Sequence, residues 1–484
     1  MKYSTRYIRF SQLIVCLFYW LSNSIYAELI QPGDIRQRHD IQLLADSGII
    51  DAPINGWPIF LSDINLNRNT ILKNNHKLAN SLKRIFPENE SHDDIKTSLG
   101  FSASNDTDRI RGYSSRPRKE EELSWRLSTA KGRFYFDLRA KVDKSHIGTN
   151  RARPTGSYIG MALGNWFLSL NATSKWWGPG WDGNLILSNN IRGIHSISLN
   201  RRVAKPFNNL WLKWLGPWTT QALYGKLEKN RDIEYSHFFG WRIGFKPLDN
   251  LEIGLSRTAQ LCGKNRTCNK EIFLNMLLGK DNQNDNVSLS TEPGNQLAGF
   301  DLRYSFNNYQ LPVAIYTQWI GEDEFHGLPS AYMGQIGFET WGFNSNANFN
   351  YRSFFEWSDT SCDLIGGSPQ FRCAYEHTIY SSGYRYKSRS IGHTIDSDSR
   401  ILSLGGLIID DKGHTWSLIA RKSEINRSNG LKHTISLTKE KVDSLELIRS
   451  LSYRKGSIRF SITRELSDLR PSRNVFSIQW SMKN

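Results

Sequence analysis

The residues best equipped for chemistry in this 484-residue chain crowd into one stretch, KWWGPGWDGNLILSNN, from Lys175 to Asn190. Trp176, Trp177 and Trp181 surround the turn Gly178-Pro179-Gly180. Proline lacks an amide hydrogen and glycine is entropically costly in a helix, so a loop or strand end is expected here. Indole faces on a rigid turn, with Asp182, Asn184 and Asn189 alongside, suit a polyhydroxylated sugar: the rings stack on its C–H faces and the polar groups take its hydroxyls. The same tryptophans could instead anchor a fold or sit in a membrane interface, where amphipathic rings are favoured. Trp218 is a further stacking candidate. Arg201, Arg202 and Arg242 are candidates for meeting acidic sugar carboxylates through charge-assisted hydrogen bonds.

Catalytic chemistry finds little support. The 11 histidines are dispersed, and no HExxH helix, GxSxG elbow or phosphate loop is present. The neighbouring acids Asp93-Asp94, Glu120 to Glu122 and Asp410-Asp411 read as solvated turns or lumen charges. A non-enzymatic protein without cofactor or metal is expected. A hydrolase site assembled in space from Ser/His or Asp/His leaves no local trace and stands as a separate class.

The first 27 residues read as a secretory signal: Lys2, Arg6 and Arg9 precede the apolar run Leu13 to Leu21, with Ala27 at the cut. That run is far short of the roughly 20 apolar residues of a spanning helix, and no later stretch reaches that length. The net charge is +16, and removal of Lys2, Arg6 and Arg9 leaves +13. In an exported chain this surplus points to acidic glycans or lipopolysaccharide phosphates, and no nucleic-acid motif is present. Of five cysteines, Cys16 lies in the signal. The remaining pairs, Cys262 with Cys268 and Cys362 with Cys373, are expected to form two local disulfides, as befits an oxidising compartment. Neither pair has the two-residue spacing of a zinc site.

Two kinds of element must position these residues. Residues 28–92 read as a small helical unit. Asp34 is placed to cap a helix that carries Ile35, Leu43 and Leu44 and stops near Gly48. A second helix, capped by Ser62 or Asp63, carries Ile71, Leu72, Leu78, Leu82 and Ile85 and ends before Pro87. The unit is too small to bury a core alone and is expected to dock on something larger.

Over residues 93–484 the period becomes two. Phe134, Phe136, Leu138, Ala140 and Val142 alternate with Arg133, Tyr135, Asp137, Arg139 and Lys141. The same pattern returns around Asp301-Leu302-Arg303, Arg459-Phe460-Ser461 and Phe476 to Met482. So long a run without a fixed repeat disfavours a sandwich, propeller or solenoid. Strands of about 9 to 11 residues with connections of similar length give roughly 16 to 20 strands, the range of outer-membrane barrels. A mean hydropathy of −0.50 is compatible with this, because only alternate positions need be apolar. The fold class expected is mainly β: a transmembrane antiparallel β-barrel. Its charged face would line the lumen, placing Arg133, Arg139, Lys141, Arg303 and Arg459 inside.

The aromatic turn, together with HDIQLLADSGII (His39 to Ile50), SYIGMALGNW (Ser157 to Trp166) and LKWLGPWTTQALYGKLEKNRD (Leu212 to Asp232), resembles the capsule assembly protein Wzi family of Gram-negative outer membranes. The resemblance implies a barrel of about eighteen strands with an N-terminal helical element, acting as a lectin that tethers capsular polysaccharide to the cell surface. The expected partners are therefore acidic capsular polysaccharide and outer-membrane lipid and lipopolysaccharide, with no nucleic acid, and the expected state is a monomer. The competing transport reading is a porin passing sugars or anions through an open lumen. Docking of the helical unit on a barrel mouth favours the plugged form.

Overall fold

The computed structural model describes residues 29–60, 76–86, 95–144, 151–278, 294–306, 311–325, 328–364 and 368–483. The signal sequence, Ser62, Asp63, Ile71 and Leu72 lie outside them. Among the described residues, eighteen antiparallel strand positions close on themselves into one barrel. The first strand, β1 (Lys96–Ser104), pairs with the last, β18 (Arg473–Lys483), and seals the sheet. Closure is what the membrane demands, because each spanning backbone amide finds a neighbour and no edge faces lipid. Arg151–Arg153 and Tyr158–Leu163 pair with opposite ends of Phe134–Lys144, so the two share a single position. Among the described residues, no helix is long and apolar enough to cross a membrane.

Side-chain alternation follows the period of two. On Arg400–Asp410, Leu402, Leu404 and Ile408 are exposed on the outer face while Ile401, Ser403, Leu407 and Ile409 are buried inside. Leu123, Phe134, Ile315, Leu445 and Phe476 continue the outward apolar belt. The inward residues include Tyr135, Asp137, Arg303 and Thr463, as the alternation predicts.

The two mouths differ. At one, adjacent strands are joined by tight turns such as Gly132-Arg133, Gly164-Asn165, Asp249-Asn250 and Arg454-Lys455. The barrel's two ends meet at this mouth. At the other, the connections are long, notably 172–195 and 360–399. The predicted disulfides Cys262–Cys268 and Cys362–Cys373 both form, the first within 262–293 and the second within 360–399, with Cα separations of 5.0 and 5.9 Å.

The lumen is filled from both mouths. Helix α1 (Ile35–Asp46) enters from the short-turn side, with Asp34 accepting from the amides of Arg36 (3.0 Å) and Gln37 (3.2 Å) as its N-cap. Ile41 and Leu44 are fully buried against the wall residues Leu407, Ile409 and Ile419. This is why Arg400–Asp410 is apolar on both faces near its end. Helix α2 (His76–Ile85) packs on α1 through Leu82 and Ile85 and through Arg84, which grips Asp40 at 2.7 and 2.8 Å. From the opposite side 172–195 folds inward, and 360–399 closes over it. Tyr375 and Tyr384 donate to the carbonyls of Leu185 (2.5 Å) and Ile186 (2.9 Å).

Candidate functional site

The aromatic turn occupies the centre of the lumen, where the two plugs meet. Trp176 and Trp177 pair antiparallel with Trp57 and Gly56 of the N-terminal segment. Gly178 takes a left-handed φ of 139°, and a Cβ on Gly180 would lie 1.9 Å from the Gly183 carbonyl, so this tight return requires glycine. Arg38, rising from α1, donates to the carbonyls of Pro179 and Gly180 at 2.8 Å each. Its guanidinium lies 4.1 Å from the Trp181 ring centroid and 4.5 Å from that of Tyr113, a cation–π sandwich in a dry site.

Around this turn the wall supplies charge in balance. Arg303 binds Asp46 (2.7 Å) and Glu339 (2.6 Å), and Arg352 binds the same two carboxylates, so helix α1 is tied by its last residue to two strands. Trp181 donates its ring N–H to Glu339 at 2.7 Å and its amide to Glu356 at 2.8 Å. Asp182 is held by Arg421 (2.7 and 2.8 Å) and Ser403 (2.7 Å). Burial pushes its carboxyl up, but Arg421 outweighs that and holds it below the usual range.

The sequence candidates therefore separate. Trp176, Trp177 and Trp181 are 0, 0 and 1% exposed, so the open stacking platform expected of them is not what this fold presents. The physical reason is that Arg38 and Tyr113 meet the Trp176 indole, Arg38 and Phe354 meet that of Trp181, and Trp177 is buried in a cluster with Leu187, Leu223 and Phe238. Arg242 lies on the wall, bound to Asp301 at 2.5 and 2.9 Å. Arg201, Arg202 and Trp218 lie at the short-turn mouth, away from the long loops. There Arg201 stacks 3.8 Å from the Trp218 ring centroid, Trp218 stacks on Phe207, and Arg202 donates to the Gly164 carbonyl. The indoles that match an interfacial role are Trp211 and Trp214, at 87 and 63% exposure on the same mouth.

Of the expected lumen charges, Arg139, Lys141, Arg303 and Arg459 lie on inward strand positions and most are engaged, whereas Arg133 lies in the turn at the short-turn mouth, just before its strand begins. Arg139 pairs with Asp137 (2.9 Å), which Arg126 also holds. Lys141 sits across from Arg153, and Arg459 donates to Ser450, Gln479 and the Ser115 carbonyl. Arg133 lies against the Phe134 ring at the strand start.

One Ser/His contact warrants chemical scrutiny. Ser399 Oγ lies 3.2 Å from His433 Nε2, but His433 Nδ1 accepts from the amides of Ile435 (3.2 Å) and Ser436 (3.3 Å). The ring proton therefore resides on Nε2, where the Ile395 carbonyl accepts it at 3.0 Å. A base so arranged cannot take the serine proton, and Ser399 is fully buried.

A closed barrel with an apolar outer belt and a lumen packed with its own chain defines an outer-membrane β-barrel. The model of the capsule assembly protein Wzi family matches residues 91–460, and the chain belongs to that family. Helix α1, with His39 to Ile50, lies ahead of the matched span, whereas most of the second half of the chain lies within it. A Klebsiella pneumoniae protein, an uncharacterised 55.8 kDa product of the cps region, is 27% identical over 66% of this chain and 64% of its own length. The chain thus matches just under two thirds of that relative. A solved structure of Escherichia coli Wzi, described as an outer-membrane, carbohydrate-binding β-barrel involved in group 1 capsule assembly, superposes with a TM-score of 0.81 at 23% identity. The match covers 94% of this chain and 99% of that one, and establishes the shared fold.

Proposed function

We propose that this protein holds acidic capsular polysaccharide at the outer surface of the cell during capsule assembly, as a monomer and without catalysis. The observation that carries the reading is the filled lumen. A porin needs a continuous aqueous path, yet here helix α1, the aromatic turn and the 360–399 connection stack along the barrel axis. The void bounded by Ile41, Ile54, Gly56 and Gln221 amounts to about 20 Å³, room for about one water. Membership of a capsule assembly family supplies the ligand class, and the positive surplus supplies the complementary charge. Short turns face the periplasm in outer-membrane barrels, so the N-terminal helices close the periplasmic mouth and the long connections meet the polymer outside. Cells lacking the protein are expected to make polymer at the usual level but release it into the medium. Unchanged retention on the cell would contradict this role.

A further inference from the structure

At the long-loop mouth the charges do not balance. Arg111, Arg118, Arg192 and Arg389 come from three connections, 105–120, 172–195 and 360–399, and gather around Asn190. Arg118 donates to the carbonyls of Asn189 (2.6 Å), Asn190 (2.9 Å) and Ile191 (2.9 Å). Arg389 donates to the carbonyls of Asp108 and Arg109 at 2.9 Å each and to Asn190 Oδ1 at 3.1 Å. None of these acceptors carries a charge.

The carboxylates in reach are already engaged. Asp108 is held by Arg116 at 3.0 and 3.1 Å. Arg192 reaches Glu122 (3.5 Å) and Asp143 (3.4 Å) only loosely, and Asp143 also pairs with Arg153 at 2.8 Å. Glu465, further off, pairs with Arg473 at 3.4 Å.

Arg111 is the least compensated of the four. It is 7% exposed, its Nε has no partner, and its guanidinium makes no hydrogen bond among the described residues. A cation taken out of water without a counter-charge is strongly unfavourable, and a buried donor left unmade calls for an ion or water to complete it. Burial, with repulsion from Arg192 and Arg389 added, pushes the Arg118 guanidinium down to about 9. Burial, with repulsion from Arg118 and Arg389 added, pushes Arg111 well down. At the cluster's margin a two-residue hairpin tip, Lys387-Ser388, holds both residues at left-handed φ (51° and 61°) and leaves Lys387 exposed, within electrostatic reach of Arg192 and of Glu228. Side chains rarely accept that conformation unless something rewards it.

We propose that this arginine cluster, rimmed by Lys387, is an anion-binding subsite that receives the carboxylate of a uronic-acid or similarly acidic residue of the polysaccharide. The inference rests on the polysaccharide-holding function above and names its recognition chemistry. A planar guanidinium fork matches a carboxylate. A singly charged group also suits a pocket whose margins carry Glu122 and Asp143 better than a doubly charged phosphate does. The cluster lies between connections over the lumen rather than on the outer wall, which favours a polymer outside the cell over a lipid headgroup.

The test uses the full chain in detergent, a uronate-containing polysaccharide and its carboxyl-reduced neutral counterpart. Native protein should bind the acidic form at least about tenfold more tightly, the scale of one charge-assisted contact. Arg111→Gln and Arg389→Gln should abolish that preference. Lys387→Gln, at an exposed tip that cannot disturb the barrel, should reduce it about threefold, and Lys213→Gln at the opposite mouth should leave it intact. Without ligand, Arg111→Gln should unfold at no lower temperature than native, since it removes an uncompensated cation. Equal binding of both forms by native protein, or a preference that survives in the variants, overturns the subsite while leaving the tethering function standing. Binding of neither form overturns the tethering function itself. Tighter binding of lipopolysaccharide than of the uronate polymer, lost in the same variants, overturns the proposed occupant in favour of a phosphate.

Discussion

Two groups of buried arginines in this barrel invite opposite conclusions. At the junction of the plugs, Arg303 and Arg352 share Asp46 and Glu339, so each guanidinium meets two carboxylates. At the long-loop mouth, Arg118 and Arg389 meet only neutral acceptors, and Arg111 meets no hydrogen-bond acceptor among the described residues. Residue type is shared and Arg111 is as buried as Arg303, with Arg118 and Arg389 half-buried; the counter-charges differ. Satisfied inner charges lock the N-terminal helix to the wall. The outer ones lack carboxylates, a cost to stability that a counter-charge from outside the chain would offset.

The largest loss of stability is expected at the junction. Glu339→Ala leaves two buried guanidiniums short of a carboxylate and removes the acceptor of the Trp181 ring N–H. A loss of about 3–5 kcal/mol is expected, read as a lower temperature at which the folded band disappears in a heat-modifiability gel. Next in size is an effect of pH. His393, buried beside Asp182 and Arg421, has its imidazolium pushed down to about 4, mainly by burial. The unfolded chain takes up this proton near pH 6.5, so it binds more protons than the folded chain between those values. The contribution of His393 to stability should therefore be complete above pH 6.5 and be lost as pH drops from 6.5 to 4, and His393→Gln should make stability less dependent on pH across that window. Asp34→Ala, which removes only the N-cap of α1, should cost about 1 kcal/mol by the same gel measurement. Arg111→Gln, at the unbalanced mouth, removes a guanidinium that makes no hydrogen bond among the described residues and should leave ligand-free stability within about 0.5 kcal/mol of native, in contrast with Glu339→Ala.

The barrel was legible because its constraint is local and repeated. Phe134 to Val142 and Phe476 to Met482 each declare an outer and an inner face within ten residues, and both disulfides close short loops. Asp34 and Gly48 likewise mark α1 from neighbouring residues alone. The aromatic turn was legible as unusual, but its use was not. Whether Trp181 faces a sugar or the lumen depends on Arg38, Phe354 and Glu339, which lie far away in the chain. The same holds for the arginine cluster. Arg111, Arg192 and Arg389 converge only because three connections fold over one mouth, and the sole hint in sequence was a positive surplus with no address.

In the function proposed, this barrel is closed by its own chain and holds polymer outside rather than passing solutes through. Single-channel recording of the purified full-length protein in a planar bilayer tests it most directly. The filled lumen predicts a nearly silent trace, and large, steady currents would contradict it.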